Sequence, residues 1–205
     1  MGYRGTANQP KRNLSGTAQD CLSRAFSAYS AARSSLPSWL IRDLRSDHAG
    51  EAGAVAMYKG ILNVSRCGSV RTFASEHLET ESNHLKLLET ILPLADRSTS
   101  LPLWTCAGYI TGGLPALFGA EAVFQTIDAV ETFVDEHYRK QIVRLNHTHR
   151  HKRISNILEH CRFDEVQHRD EARKKALGAN NIFLKTWCKL VTFGSLVAVT
   201  IARSI

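Results

Sequence analysis

The sequence of 205 residues lacks the cysteine pattern of a disulfide-stabilised protein. Its five cysteines lie far apart, their number is odd, and no two of them form a Cys-x-x-Cys pair. This usage speaks against a disulfide framework and favours a reducing compartment. We therefore expect small, buried, apolar thiols at Cys21, Cys67, Cys106, Cys161 and Cys188.

Acidic residues are almost missing from residues 1–38, which are rich in Arg, Ser and Ala and contain one acid, Asp20. The segment also lacks the apolar core that a secretory signal needs. Its composition is typical of a mitochondrial targeting segment, and a disordered basic tail is the alternative. In both cases we expect the fold in residues 39–205, which are enough for one domain with a sizeable core.

The chain has no dense stripe of Lys and Arg, although its net charge is +7. Nothing therefore requires nucleic acid as a partner, and a basic face toward anionic lipid is equally compatible with this charge.

Long hydrophobic runs are missing too. The uncharged residues 101–118 are interrupted by three Gly and two Pro, and the run 190–202 is only 13 residues long, so we expect neither to span a membrane. Residues 101–118 predict a core helix or a helix inserted into a membrane surface. Residues 181–205 predict a helix lying in the bilayer surface with Trp187 near the interface, or else a fifth helix covering a bundle.

The sequence does contain four long segments with helical periodicity, in which apolar residues recur at i, i+3 or i+4, and i+7. Pro or Gly marks several of their ends. The predicted helices span roughly 39–66, 69–92, 119–146 and 152–177. The basic, His-rich stretch 146–153 predicts a solvated loop, with adventitious metal binding as the alternative.

Two Glu-x-x-His motifs lie inside these helices: Glu81 with His84, and Glu165 with His168. Residues three apart on a helix lie on one face about one turn apart. Each motif can therefore point a carboxylate and an imidazole at the same place.

Each half of the chain supplies one further Glu in the middle of a helix. Glu51 precedes the first motif by 30 residues, and Glu131 precedes the second by 34. Both lie on the apolar face of their helix, where an unpaired carboxylate would cost several kcal/mol. Glu121 is a competitor in the same helix as Glu131, and we prefer Glu131 because it is more central.

Four helices that supply four carboxylates and two imidazoles provide the ligand set of a di-iron four-helix bundle. Carboxylates are hard oxygen donors that can bridge two cations, and imidazole suits iron. Four carboxylates also neutralise two ferrous ions in an apolar interior. The non-enzymatic alternative is a helical scaffold in which the Glu-x-x-His pairs only form salt bridges.

Four stretches, at residues 47–58, 79–89, 119–138 and 163–172, resemble the ubiquinone-biosynthesis hydroxylase family that acts on 5-demethoxyubiquinone. The resemblance covers about residues 40–205 and implies an all-α, ferritin-like four-helix bundle with extra apolar segments packing on or into a membrane surface. The metal ligands that it implies are Glu51, Glu81, His84, Glu131, Glu165 and His168, and we expect Glu81 and Glu165 to bridge the irons. Ala52, Val55 and Ala56 depart from the residues expected after the first ligand, which concerns the shape of the pocket.

The resemblance also implies an activity. A di-iron monooxygenase would use O₂ to hydroxylate C6 of the demethoxyubiquinone ring, with NADH as the ultimate reductant. The implied partners are a polyprenyl quinone substrate, the matrix side of the mitochondrial inner membrane, to which the protein would bind peripherally, and an accessory lipid-binding protein, with no nucleic acid. The rivals are a tRNA-modifying di-iron hydroxylase and an iron-storing or peroxide-scavenging ferritin-like protein.

Several neighbours of the ligands are candidates for supporting roles. Tyr58, His137 and Tyr138 would relay electrons or protons or hydrogen-bond the ligands, and ordinary packed aromatic rings are the alternative. Asp47 and Asp164 are candidates to hold the outer nitrogens of the ligand histidines, with helix capping or surface charge as the competing interpretation.

Overall fold

Breaks at proline, glycine and one histidine divide the chain into helices. The computed structural model describes residues 36–148, 150–178 and 181–205, and these contain no strand. The six α-helices are α1 (Ser38–Val64), α2 (Gly68–Glu89), α3 (Leu101–Ala116), α4 (Ala120–Thr148), α5 (Lys152–Lys175) and α6 (Ile182–Ala202), with a 3-10 turn at Leu94–Asp96. The all-α, ferritin-like prediction is confirmed, and the helix ends lie within three residues of those predicted. The predictions for residues 1–35 fall outside the described residues.

The breaks have local causes. Pro93 follows the end of α2 and has no N–H to continue it. Gly119 (φ 100°) and Gly178 (φ 70°) take a left-handed backbone conformation that favours glycine, before α4 and after α5. His151 adopts φ 59° just before α5. The loop predicted for the whole stretch 146–153 is wrong at both ends, since 146–148 belong to α4 and 152–153 to α5, while Arg150 between the helices is exposed as predicted.

The two sequence halves pack as two helix pairs, α1 with α2 and α4 with α5, and the pairs meet where α2 faces α5. At one end of the bundle a shared apolar cluster joins all four helices. It includes Met57 and Ile61 of α1, Phe73 of α2, Phe124 of α4 and Ala172 of α5. Burial of this cluster fixes the register of the four helices, and with it the level at which their central residues meet.

Helix α3 packs along α1 through glycine. An added Cβ at Gly108 would collide with the backbone of Gly53, and one at Gly112 would collide with the backbone of Met57. The opposite face of α3 is exposed and includes Leu103 and Ile110. Helix α3 is therefore neither completely buried as a core helix nor detached from the bundle. Helix α3 also covers a second face of α1, whereas the sequence analysis predicted a single buried face for this helix.

Helix α6 lies against α4 and α1. Trp187 Nε1 donates a hydrogen bond to Thr126 Oγ1 (2.9 Å), and Arg203, just after the helix, pairs with the buried Asp43 (2.7 Å). Most of the helix surface remains exposed, including Phe193 and Leu196. The helix has 21 residues and, by length and composition alone, is long enough to cross a membrane, so the argument from a run of 13 residues underestimated it.

The expectation of buried thiols is wrong for two of the four described cysteines. Cys161 is buried and Cys188 half-buried, but Cys67 and Cys106 are exposed. Cys67 precedes the first turn of α2, and Cys106 lies on the outward side of α3. All four are free thiols, and Cys21 falls outside the described residues.

Candidate metal centre

Four helices bring six acidic and imidazole side chains together in the middle of the bundle. Helix α1 supplies Glu51, α4 supplies Glu131, and α2 and α5 each supply one Glu-x-x-His motif. All six residues are at most 4% exposed: Glu51, Glu81, His84, Glu131, Glu165 and His168. Glu121, the competitor of Glu131, lies away from them and accepts a hydrogen bond from the backbone N–H of Leu177.

The six residues form two overlapping groups. Glu51, Glu81, His84 and Glu165 each offer one ligand atom to the first group, and Glu81, Glu131, Glu165 and His168 to the second. Within each group the ligand atoms lie within 4.8 Å of one another. Glu81 and Glu165 belong to both groups, which is the arrangement that two bridging carboxylates would have.

Most of the inward-facing atoms of this cluster are buried and make no well-formed hydrogen bond, although they lie close to one another. They include both carboxylate oxygens of Glu81 and Glu165, one oxygen of Glu51, and Nδ1 of each imidazole. His84 Nδ1 lies 3.1 Å from Glu165, and His168 Nδ1 lies 2.9 Å from Glu81. Buried polar atoms normally have partners. Acceptor atoms that converge in this way fit two cations, and hard carboxylate oxygens with imidazole nitrogens suit iron.

The electrostatics of the cluster show how much negative charge is concentrated there. Burial and the neighbouring carboxylates raise the pKa of Glu51 and of Glu131. Burial alone would lower the pKa of His168, but Glu165 and Glu81 outweigh it and raise the pKa to about 11. The pKa of His84 is raised in the same way. Before metal binds, protons therefore compensate part of the charge that cations would otherwise neutralise.

Two tyrosines cross between the helix pairs to reach the outer carboxylates. Tyr138 of α4 donates its hydroxyl hydrogen bond to Glu51 of α1. Tyr58 of α1 donates to Glu131 of α4, at 3.3 Å. Both tyrosines are almost completely buried, and burial raises the pKa of each hydroxyl. Each hydroxyl therefore stays protonated and acts as a donor, as the sequence analysis had suggested in one of its two alternatives.

The two candidate aspartates behave differently. Asp164 Oδ2 lies 3.0 Å from His84 Nε2, the nitrogen on the outer side of the ring, as expected of a residue that orients a ligand imidazole. The same suggestion for Asp47 is wrong. Asp47 instead lies 3.0 Å from Nε2 of His137, which is not one of the six ligands, because both side chains lie where α1 faces α4.

Sequence reasoning missed two polar residues near the centre. Gln141 donates to Asp47 at 2.6 Å and completes the group around His137. His77 is buried one turn before Glu81, and its ring centroid lies 4.0 Å from that of His168. The spacing of four residues, from His137 to Gln141 and from His77 to Glu81, was the available signal. It shows which residues share a helix face but not what faces them.

A cavity of about 510 Å³ leads away from the carboxylate side of the cluster. Its lining includes all four glutamates and, among the described residues, neither ligand imidazole. Ser46, Asp47, His137 and Tyr138 contribute polar atoms near the cluster. The remaining wall comes largely from apolar residues of α3 and α6, including Trp104, Ala107, Leu190, Phe193, Val197 and Ala198.

Comparison with known families agrees with this geometry. The sequence model of the family described as ubiquinone biosynthesis protein COQ7 matches residues 38–202, which run from the first residue of α1 to the last residue of α6. The chain belongs to the COQ7 family. The match contains every residue of the buried cluster and both apolar helices.

Curated relatives of the chain include proteins from animals, from Dictyostelium discoideum and from bacteria. The chain is 34% identical over 133 residues to the NADPH-dependent 3-demethoxyubiquinone 3-hydroxylase, mitochondrial, of Mus musculus, covering 63% of this chain and 61% of that protein. It is 30% identical over 156 residues to the protein of the same name from Caenorhabditis elegans, covering 71% and 83%. It is 36% identical over 134 residues to the 3-demethoxyubiquinol 3-hydroxylase of Rhodospirillum rubrum, covering 63% and 61%. The chain thus spans about three fifths of the length of the mouse and Rhodospirillum relatives.

Proposed function

We propose that this chain is a di-iron monooxygenase that hydroxylates the ring of a demethoxyubiquinone in ubiquinone biosynthesis. The single observation that carries the proposal is the convergence of four buried carboxylates and two imidazoles in two groups, within each of which the ligand atoms lie within 4.8 Å of one another. Membership of the COQ7 family supports it. The names of the relatives number the hydroxylated carbon 3, whereas the sequence resemblance implies C6.

The protein side of this proposal assigns six ligands to two metal positions. Glu51 and His84 serve one position and Glu131 and His168 the other, while Glu81 and Glu165 serve both. Iron bound there would supply the activation of O₂: with two electrons from a reduced donor and two protons, one oxygen atom would enter the ring and the other would leave as water. Four carboxylates match the charge of two ferrous ions, which offsets part of the electrostatic cost of burying them.

The cavity is proposed as the binding site of the quinone ring. It is of the size usual for small-molecule sites and reaches the centre from the carboxylate side. Its apolar wall of α3 and α6 excludes water and suits a ring that carries a polyprenyl tail. His137, held by Asp47 and Gln141, presents one of the few polar groups of this wall.

A membrane surface is the proposed source of the substrate. Helices α3 and α6 wall the cavity on one side, and they expose apolar side chains that do not line it, among them Leu103, Ile110 and Leu196. Exposed apolar surface of this extent marks a docking site for protein or lipid. A polyprenyl quinone that moves from the bilayer along these helices would reach the centre without crossing water.

The remaining partners are proposed by analogy with the relatives. The animal proteins are named NADPH-dependent and mitochondrial. We propose a reduced nicotinamide as the ultimate electron donor, with NADH still a prediction, and the matrix face of the mitochondrial inner membrane as the location. An accessory lipid-binding protein that presents the substrate stays a prediction of the resemblance.

The rival functions predict other surroundings for the centre. A tRNA-modifying hydroxylase needs basic residues around its pocket, but no Lys or Arg lines this cavity in the part of the chain that the structure describes. An iron-storing protein has no use for a cavity of this size with an apolar wall. Both features favour a lipophilic organic substrate.

The test is hydroxylation by the reconstituted protein. The full chain, loaded anaerobically with Fe²⁺, should bind about two irons. With a demethoxyubiquinone, a reduced nicotinamide and isotope-labelled O₂, mass spectrometry should detect a product that carries one labelled oxygen. Cells lacking the protein should accumulate the demethoxy precursor. A chain that binds no iron, or a product without the label, would refute the proposal.

A further inference from the structure

The two metal positions match in their carboxylates and tyrosines. Each has its own glutamate, Glu51 or Glu131, and each of these accepts a hydrogen bond from a tyrosine of the opposite helix pair. Glu81 and Glu165 are common to both positions. A clear difference between the positions lies in the surroundings of the two imidazoles.

The imidazole of His84 is backed by a carboxylate. Asp164 Oδ2 lies 3.0 Å from His84 Nε2, while Nδ1 of the same ring faces the cluster. A carboxylate behind a ligand imidazole fixes the tautomer and orientation of the ring and raises its basicity as a metal ligand. Asp164 is the residue before Glu165, so the motif of one half supports the ligand of the other.

The imidazole of His168 has a different neighbour. Its ion pairs with the described carboxylates are those of Nδ1 with Glu81 and Glu165, on the cluster side. The positional counterpart of Asp164 is the residue before Glu81, which is Thr80, and a hydroxyl supplies no charge. The carboxylate that backs one ligand imidazole thus has no equivalent behind the other.

An aromatic ring packs against His168. The ring of His77 packs edge-on against His168, with centroids 4.0 Å apart and planes at 67°. Phe73 packs on His77, also with centroids 4.0 Å apart, and Glu171 lies 3.4 Å from His77 Nε2. His77 is therefore held in place, and its ring limits rotation of the His168 side chain.

We propose that the two metal positions are unequal, that the position of His84 binds metal more tightly, and that His77 is a positioning residue for the weaker position of His168. This rests on the proposed metal centre and adds an order of filling to it. Partners behind a ligand typically change metal affinity by about 10–100-fold. Since His77 acts through the shape of its ring, another aromatic ring should replace it.

Titration with Co²⁺ as the only metal tests the inequality. The full chain is stripped of metal and titrated anaerobically, and calorimetry and visible absorption follow binding. We expect two steps whose dissociation constants differ by about tenfold or more. Asp164→Asn should weaken the tighter step by about tenfold and leave the weaker one unchanged, whereas the control E159Q, an exposed carboxylate on the same helix, should change neither.

Two substitutions test the role of His77. His77→Ala should weaken only the second step, by about tenfold, and His77→Phe should restore it. Thermal melting of the metal-free variants shows whether each one folds, and rescue by H77F separates positioning from general loss of stability.

The possible outcomes separate this inference from the proposed function. Two equal steps in the unaltered chain, or an equal effect of D164N on both steps, would overturn the inequality while leaving a two-metal centre. H77F behaving like H77A would overturn positioning by the ring. A chain that binds no Co²⁺ at all would overturn the metal centre itself, and unequal binding without hydroxylation would overturn only the proposed reaction.

Discussion

The ligand-bearing core of the bundle buries acidic side chains, whereas the apolar pair of helices, α3 and α6, exposes large apolar ones. The core buries four carboxylates that are at most 4% exposed, whereas the pair exposes large apolar side chains such as Ile110 (52%) and Phe193 (62%). Proteins normally avoid both arrangements. We propose that each arrangement is satisfied by a partner from outside the chain: cations for the buried acids and hydrocarbon for the exposed apolar face.

The cavity connects these two regions. Its inner end is formed by the carboxylates and its wall by α3 and α6. A substrate held there would touch the metal centre with its ring while its tail remained among apolar side chains. The two regions can nevertheless be disabled separately, because few residues belong to both.

The largest effect is expected from removing a shared ligand of the core. Glu165→Ala takes one carboxylate from both metal positions, so iron binding and hydroxylation should both fall to background. Iron analysis and product formation by the reconstituted full chain measure this. The matched control is E159A, an exposed glutamate on the same helix, which should retain both. Full turnover by E165A would contradict the ligand assignment.

A large but selective effect is expected from placing charge on the apolar pair. Burying an apolar side chain contributes about 1.5–3 kcal/mol, so the double variant I110D/L196D should bind liposomes about a hundredfold more weakly. Iron content should not change, since neither residue lines the cavity.

The control for this membrane prediction lies outside the apolar pair. Val143 is 48% exposed on α4, so V143D adds an acid at similar exposure elsewhere on the surface. Flotation with liposomes compares the three proteins. Equal loss of binding in V143D and in I110D/L196D would show that charge rather than location decides binding.

A moderate effect is expected where the two regions are joined. Gly108→Ala inserts a Cβ against the backbone of Gly53, and overpacking of this kind costs about 1–3 kcal/mol. Gly194→Ala meets nothing within 4 Å and should leave stability equal or slightly higher. Urea denaturation of both variants measures the difference. Equal stabilities would mean that the close approach of α1 and α3 can relax.

The last prediction changes the pH rather than a side chain, and it concerns the protons bound in the core. Because the pKa of His168 is raised to about 11 and the pKa values of Glu51 and Glu131 are raised as well, metal must displace protons when it binds. Binding is therefore favoured as the pH rises, and Co²⁺ affinity should fall about tenfold per released proton between pH 7.5 and 6.5. Calorimetry at the two pH values measures it, and an affinity independent of pH would contradict these protonation states.

Local patterns predicted much of this molecule. The period of the apolar residues and the Pro and Gly breaks placed the helix ends within three residues, because these signals act on the chain locally. The spacing of Glu51 and Glu131 from the two motifs nominated the six residues that the fold brings together. Contacts across the bundle were harder to predict: Asp47 reached His137 rather than a ligand, and His77 was not noticed at all.

By itself, the sequence determined which residues are helical, which helix faces are apolar, and that two carboxylate–imidazole motifs lie one in each half. Only the tertiary structure decided that Asp164 contacts a ligand imidazole and that Tyr58 and Tyr138 reach across between the halves. It also decided that α3 and α6 wall a cavity beside the carboxylates. The physical reason is that helical periodicity depends on neighbours within one or two turns of the chain. Contacts between helices depend instead on their rotation and register, which the packing of the whole bundle sets.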